Sequence, residues 1–271
     1  MKWIALIVLT TTINFISFTQ ENCNYWNNKA VEEFQNNDFE GALTAMDKCI
    51  AMNPSIRHHY LNRGNTKLKL NDFSGAMTDY QKAIELDPNY EDAYFNLGTA
   101  KLNQGMYEEA IVDFDKVIVL NPKDKEAYYY RGLAKEQDDQ NKKAFKDYLQ
   151  AVEVDSKYSD AHFKLGISFM EGEDYEDAIK HFTKVLKDNE GNVNVLFNLG
   201  VAKLGAGNYS GARTAFSEII EIDSENGDAF YQRGVANYDL GKETTACLDW
   251  EKAKELGQEK AEPTIEKYCN R

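Results

Sequence analysis

Residues 91–124 read EDAYFNLGTAKLNQGMYEEAIVDFDKVIVLNPKD, and this stretch shows most clearly a pattern of two paired helices. Its first half, residues 91–103, predicts a helix whose packed face carries Tyr94, Leu97, Gly98 and Leu102, at helical spacings. The pair Gln104-Gly105 predicts a turn. Residues 106–120 predict a second helix, whose packed face carries Tyr107, Ala110, Phe114 and Val117. Asn121-Pro122 ends this helix, because proline cannot continue the hydrogen-bond ladder and restricts the residue before it.

The same pattern recurs every 34 residues without an insertion. Three of the four prolines keep this spacing: Pro54, Pro88 and Pro122. Glycine and alanine also keep it, at Gly64, Gly98, Gly132, Gly166, Gly200 and Gly234 and at Ala42, Ala76, Ala110, Ala144, Ala178, Ala212 and Ala246. A large apolar residue follows each alanine by four positions: Met46, Tyr80, Phe114, Tyr148, Phe182, Phe216 and Trp250. The period predicts stacked helix pairs in which the small residues allow close approach and the aromatic residue fills the adjoining gap.

The repeated residues resemble the motif of the tetratricopeptide repeat (TPR) family, which stands here as Tyr94, Leu97-Gly98, Gly105-Met106-Tyr107, Ala110, Phe114, Val117 and Pro122. The resemblance implies an all-α fold, a right-handed superhelical solenoid of seven TPR helix pairs with a C-terminal capping helix. Its concave side would be lined mainly by the first helix of each pair. The expected repeats occupy residues 23–256, as 23–56, 57–90, 91–124, 125–158, 159–192, 193–226 and 227–256, followed by the capping helix in residues 257–271.

The composition excludes some classes of partner. The chain of 271 residues carries 31 Lys and Arg against 45 Asp and Glu, giving a net charge of −14. This charge repels nucleic acid and anionic membrane surfaces. Hydrophobic residues make up 42% of the chain, which is enough for a packed core and argues against disorder.

Residues 1–19 are predicted to be a signal peptide that is removed. Lys2 precedes an apolar run from Trp3 to about Phe18, which is short for a membrane span of roughly 20 residues. The small residues Ser17 and Thr19 predict cleavage after Thr19. We therefore expect an exported protein, periplasmic or extracellular, with no membrane span after cleavage. The alternative is an uncleaved N-terminal anchor.

The four cysteines lie two near each end of the repeat array. Cys23 begins the first helix of repeat one and Cys49 lies near the end of the second, and these ends are neighbours in an antiparallel hairpin. Cys247 begins the last second helix, and Cys269 lies in the segment expected to cap the array. We expect the disulfides Cys23–Cys49 and Cys247–Cys269, with four buried free thiols as the alternative. Because neither spacing is C-x-x-C, a redox or zinc site is disfavoured.

Three repeats carry an arginine before the glycine, at Arg63, Arg131 and Arg233. The same three repeats carry an aspartate before the aromatic residue of the second helix, at Asp79, Asp147 and Asp249. This correlation predicts an ion pair across each helix hairpin, which contributes about 0–1 kcal/mol if it is exposed. The alternative is that the arginines bind a ligand.

The sequence contains no recognisable catalytic constellation. No G-x-S-x-G elbow and no activated Cys-His pair is present. Neighbouring metal ligands for His58, His59, His162 and His181 are not apparent, and His162 stands where other repeats carry a tyrosine. We therefore expect a non-catalytic protein with no metal and no cofactor.

The residues after the core aromatic of each first helix, and those four positions later, should line the concave face. Most of these residues are apolar, and the predicted groove consists of Leu61, Phe95, Tyr129, Leu133, Phe163, Ile167, Phe197, Val201, Tyr231 and Val235. An apolar stripe of this kind suits an extended peptide or an amphipathic helix. The row beside it is acidic at Asp92, Glu126, Asp160 and Asp228. The alternative is that these residues only pack between repeats.

We therefore predict an interaction scaffold that binds a peptide or a helical segment of a protein partner. The alternative function is capture of a glycan or cell-wall ligand on the same aromatic-lined surface.

Overall fold

The computed structural model describes residues 23–269, and the predicted signal peptide lies outside this range. All regular secondary structure in the described range is helical, which confirms the all-α class. The helices are α1 (residues 23–35), α2 (Phe39–Met52), α3 (Arg57–Lys69), α4 (Phe73–Leu86), α5 (Glu91–Asn103), α6 (Tyr107–Leu120), α7 (Lys125–Gln137), α8 (Asn141–Val154), α9 (Ser159–Glu171), α10 (Tyr175–Asp188), α11 (Val193–Gly205), α12 (Tyr209–Ile222), α13 (Gly227–Asp239), α14 (Glu243–Glu255) and α15 (Ala261–Tyr268). Between residues 23 and 269, none of these helices is both long and apolar enough to span a bilayer.

The described helices fall into two compact units, residues 23–144 and 145–269, with the boundary inside α8. Within each unit, consecutive helices pack against each other, both inside a helix pair and from one pair to the next. This arrangement is that of a helical repeat solenoid, in which each pair buries its apolar faces against its neighbours.

The close approach of paired helices explains the repeated glycine. A Cβ atom built on Gly166 would lie 2.5 Å from the ring of Phe182, and one on Gly200 would lie 2.6 Å from Phe216. The alanines at the crossing, Ala178 and Ala212, have no exposed surface. The second-helix aromatic therefore packs directly onto the backbone of the first helix.

Each turn inside a helix pair contains one residue with positive φ, again in steps of 34 residues: Asn37, Asn71, Gly105, Asp139, Glu173, Gly207 and Gly241. The next residue is the N-cap of the second helix. At Asp38 and Asp72 the carboxylate accepts a hydrogen bond from the backbone N–H of Gly41 and Gly75, respectively. These caps supply a partner for an N–H group that has none inside the helix.

Both ends of the described array carry a disulfide. Cys23 and Cys49 are joined with their Cα atoms 4.9 Å apart. Cys247 and Cys269 are joined with their Cα atoms 5.8 Å apart, which ties the end of α15 to α14. The ring of Tyr268 on α15 lies 4.8 Å from that of Tyr238. Helix α15 therefore covers apolar surface of the last pair, as a terminal repeat requires.

Candidate functional site

In the second unit, the predicted groove residues lie on the first helices α9, α11 and α13. The ring of Phe163 packs against Phe182 at a centroid distance of 5.8 Å, and that of Phe197 packs against Phe216 at 5.7 Å. The second-helix aromatic thus supports each ring from behind. All members of this row are half-buried: Phe163, Ile167, Phe197, Val201, Tyr231 and Val235. The row therefore contributes to the core and still presents apolar surface to solvent.

In the first unit, the predicted row is more closed. Leu61 is only 9% exposed and belongs to the core cluster around Tyr80. Phe95 lies between the rings of Phe114 and Tyr130, at 5.7 and 5.4 Å. Tyr129 and Leu133 are half-buried. Leu61 thus serves packing and is not part of an open surface, whereas Phe95, Tyr129 and Leu133 keep some accessible surface.

A concave apolar site in the first unit lies between α1, α2 and α3. It is a cavity of about 350 Å³. Val31, Phe34 and Met46 supply apolar walls, and Val31 is 43% exposed. Asn62 and Asn65 add side-chain amides. An apolar pocket with a few oriented polar groups is the usual form of a ligand site.

Asn65 is held in place by neighbouring side chains. Its Oδ1 accepts hydrogen bonds from the hydroxyl of Tyr80, at 2.7 Å, and from Nδ2 of Asn96, at 2.9 Å. These bonds fix the amide, and among the described residues its Nδ2 has no hydrogen-bond acceptor. A fixed amide N–H of this kind is suited to a peptide carbonyl.

The aspartates predicted to pair with arginines across the helix hairpins are buried. Arg63 binds Asp79 through two hydrogen bonds, Nε to Oδ2 at 2.8 Å and Nη2 to Oδ1 at 2.6 Å. The side chain of Asp79 is only 3% exposed and also contacts Lys67 Nζ at 2.7 Å. The carboxylates of Asp79 and Asp47 raise the pKa of the Arg63 guanidinium. The predicted pairing of Arg63 with Asp79 is thus found, and because the carboxylate is buried in the helix interface, the range given for an exposed pair does not apply to it.

His59 lies beside the first disulfide. Its Nε2 is 3.3 Å from Cys49 Sγ and 3.6 Å from Cys23 Sγ, and all three residues are buried. Burial is the main cause that lowers the pKa of His59. Two thiolates and an imidazole form a ligand set that zinc accepts. In this structure the two sulfurs are bonded to each other, so neither is a thiolate.

The fifth helix pair contains two histidines in contact. His162 is 2% exposed, and its Nδ1 lies 2.9 Å from Nδ1 of His181. The other nitrogen of His162, Nε2, lies 3.0 Å from the carbonyl oxygen of Ser156. Because a carbonyl only accepts, Nε2 of His162 carries the hydrogen, and its Nδ1 accepts from His181. Burial and the neighbouring His162 lower the pKa of His181 to about 4.

Comparison with known families and structures agrees with this architecture. Profiles described as TPR repeat or tetratricopeptide repeat match residues 24–56, 64–105, 91–124, 163–227 and 197–257. The chain belongs to the tetratricopeptide repeat family. No curated protein matches the sequence significantly.

Several solved TPR structures are similar. A TPR protein from Parabacteroides merdae has a TM-score of 0.63 at 17% identity, with 92% of this chain and 100% of that chain aligned. YrrB, described as a TPR protein with an unusual peptide-binding site, has a TM-score of 0.59 at 25% identity, over 68% of this chain and 95% of that one. A part of MamA from Desulfovibrio magneticus has a TM-score of 0.58 at 25% identity, over 63% and 97%.

Three features of this TPR chain escaped the sequence-based prediction: the cavity at Val31, the contact of His59 with the disulfide, and the His162–His181 pair. The sequence did contain a hint of the histidine pair, because His162 and His181 stand two periods after Tyr94 and Asp113, which lie on the two helices of one pair. The cavity had none, since its volume depends on the distance between α1 and α3.

Proposed function

We propose that this TPR protein is an exported, non-catalytic scaffold that binds a peptide or a helical segment of a protein partner. The observation that carries the proposal is the half-buried apolar row on α9, α11 and α13, supported from behind by second-helix aromatics. The peptide-binding site named for the similar YrrB is consistent with this use of the fold.

The chemistry of the surface defines the partner. Phe163, Phe197 and their aliphatic neighbours would contact apolar side chains at repeated spacing, as in recognition of an amphipathic helix. In the same unit, the acidic residues Asp160 and Asp228 are exposed. A partner segment with an apolar face and basic flanks satisfies both features, and its charge is opposite to the net charge of the chain.

Export is part of the proposal because of the cysteines. All four are paired, and disulfides persist in oxidising compartments such as the periplasm and the cell exterior. The apolar segment that precedes Cys23 would supply the targeting signal.

Selection of peptides from a random display library tests the proposed site. We expect enrichment of peptides that combine apolar residues at helical or alternating spacing with Lys or Arg. The double variant Phe163→Ala, Phe197→Ala should bind these peptides at least about tenfold more weakly, because two contact rings are lost. Leu248→Ala is the control, since Leu248 is 61% exposed on a second helix of the same unit and outside the row.

Equal binding of the selected peptides by the double variant, with its helical content unchanged, would contradict the proposal. A glycan array run in parallel tests the alternative function. Saturable glycan binding that is lost in the double variant, together with no peptide enrichment, would assign the row to a carbohydrate ligand instead.

A further inference from the structure

A second concave site in the second unit is lined by positive charge. It is a cavity of about 600 Å³ between α12, α13 and α14. Three cations, Arg213, Arg233 and Lys242, line it, and no carboxylate is among its lining residues. Hydroxyl groups also face it, from Thr214, Ser217 and Thr245. None of these residues belongs to the apolar row, so the site is separate from the proposed peptide surface.

Arg233 lacks an acidic contact that the equivalent arginines of two other repeats make. Its Nη2 binds Oδ1 of the buried Asp249 at 2.6 Å. In two other repeats, the arginine at this position also contacts an aspartate of the preceding second helix, as Arg63 does with Asp47, at 2.7 Å, and Arg131 does with Asp115, at 2.6 Å. The residue of the preceding second helix at this position is Ser217, and Arg233 contacts its hydroxyl at 3.3 Å. Its outer face therefore has no acidic partner there.

Arg213 and Lys242 are positively charged, whereas the other repeats carry no Lys or Arg at the equivalent positions. Arg213 stands 34 residues, or multiples of 34, from Leu43, Met77, Ile111, Phe145 and Ile179, which are all apolar. Lys242 stands at the N-cap position that is otherwise Asp38, Asp72, Met106, Gln140, Asp174 or Asn208. In the described part of the chain neither cation has a carboxylate within ion-pair distance. With Asp249 set against Arg233, two positive charges remain uncompensated in a protein whose net charge is −14.

Asn237 is also among the lining residues, but its side chain is only 2% exposed and its Nδ2 donates to Asp249 Oδ2 at 2.8 Å. It helps to hold the Asp249 carboxylate against Arg233 and is too deeply buried to contact a ligand. The groups that a ligand can reach are the cations and the exposed hydroxyl-bearing residues Thr214 and Thr245.

We propose that this cavity binds a polyhydroxylated oxyanion, that is, a sugar phosphate or a sugar acid. Arg213, Lys242 and the outer N–H groups of Arg233 bind the anionic oxygens through charge-assisted hydrogen bonds. The side-chain hydroxyls of Thr214 and Thr245 hydrogen-bond the hydroxyls of the sugar, so the site distinguishes a sugar phosphate from phosphate alone.

Isothermal titration of the full chain tests the assignment with four probes: glucose 6-phosphate, glucuronate, inorganic phosphate and glucose. We expect glucose 6-phosphate, glucuronate or both to bind with a Kd of about 1 mM or tighter, and the stronger of the two identifies the anionic group. Inorganic phosphate should bind more weakly, and glucose should not bind. Binding should weaken with added salt, because the site attracts its ligand by charge.

Two sets of variants locate the site. Arg213→Met with Lys242→Asn introduces residues that the chain already carries at the equivalent positions, as Met77 and Asn208, so the fold should be kept. This double variant should bind the preferred probe at least about tenfold more weakly, the equivalent of one charge-assisted contact. Lys252→Asn removes a charge elsewhere on α14 and should leave the affinity unchanged. Thr245→Val should reduce the preference for glucose 6-phosphate over phosphate, because it removes a hydroxyl that would contact the sugar.

Three results would overturn the proposal. The first is no saturable binding of either sugar anion, and the second is equal affinity in the folded double variant. The third is binding of glucose as tightly as glucose 6-phosphate, because such a site would not recognise charge.

Discussion

His162 occupies a position at which other repeats use a tyrosine hydroxyl. Tyr60 donates from its hydroxyl to the carbonyl oxygen of Pro54 at 3.0 Å, and His162 Nε2 makes the equivalent bond to Ser156 at 3.0 Å. Because imidazole has a second nitrogen, Nδ1 of His162 remains to accept from His181. The substitution thus keeps a structural hydrogen bond and adds a partner that titrates.

This pair should make stability depend on pH. The pKa of His181 falls from its ordinary value of 6.5 to about 4 in the folded protein, chiefly because of burial and next because of His162. As the pH falls, the unfolded state therefore takes up a proton first. Above about pH 6.5 this group has no effect on stability, and between about pH 6.5 and pH 4 it lowers the stability progressively, by a total on the order of 2 kcal/mol for this half-buried group.

Denaturant unfolding between pH 7.5 and 4.5 measures this dependence, at about half-unit steps. The groups around His181 are His162, Lys184, Lys180 and Asp177, and the last two are paired with each other at 2.6 Å. His181→Ala places the residue that repeat six carries, Ala215, at this position and should flatten the slope. Leu248→Ala, at an exposed residue that does not titrate, should keep the wild-type slope. An unchanged slope in His181→Ala would show that other groups cause it.

The residue-level predictions from the sequence worked where the repeats could be compared with each other. Arg63 and Asp79 occur together because they are in contact, and a correlation between positions reveals such a contact. Their burial could not be predicted in this way, since exposure depends on how closely α3 and α4 pack. The contact of His59 with Cys49 occurs once in the chain, so no internal comparison could reveal it.

At the scale of the helix pair, the distance between helices varies from repeat to repeat. A Cβ atom on Gly98 would lie 3.1 Å from the ring of Phe114, whereas one on Gly166 would lie 2.5 Å from Phe182. The first distance requires a small shift of the ring, and the second requires that the helices move apart. Repeats with the same sequence motif therefore differ in how strictly they need glycine.

We expect Gly166→Ala to destabilise the protein and Gly98→Ala to be close to neutral. Alanine gains up to about 1 kcal/mol in helix propensity at either position. At Gly166 the overlap with Phe182 should cost about 1–3 kcal/mol, which exceeds the gain. Chemical denaturation of the two variants gives the comparison directly. Equal effects at the two positions would show that the helices relax as easily in one pair as in the other.

The helix positions could be predicted from the sequence because the turn and cap residues that begin and end each helix lie at the helix ends themselves. Residues 91–103 were predicted as a helix, and α5 spans Glu91–Asn103. The second helix was predicted from residue 106, and it begins at Tyr107 with Met106 as its N-cap. The cavity at Val31 was not predictable, because it forms between helices of successive pairs. Spacing in the sequence fixes which residues face a neighbour, but it does not fix the gap that remains between them.

At the scale of the whole chain, the covalent links lie where a repeat array is weakest. Each repeat is stabilised by its neighbours, and an end repeat has only one. Cys23–Cys49 closes the pair α1–α2, and Cys247–Cys269 holds α15 against α14. Their sequence separations are 26 and 22 residues, for which the chain-entropy model gives about 3 kcal/mol each.

We therefore expect each disulfide to protect its own end. Hydrogen exchange of Cys247→Ala, Cys269→Ala should show faster exchange in α15 and in the pair α13–α14, because Tyr268 and Ala261 lose their anchor, while α1 and α2 keep their protection. Cys23→Ala, Cys49→Ala should give the reverse pattern, so each variant is the control for the other. Mass mapping of the unreduced wild type must first show the two pairs. If both variants instead accelerate exchange equally along all helices, the links stabilise the chain as a whole, and nearest-neighbour coupling does not describe its ends.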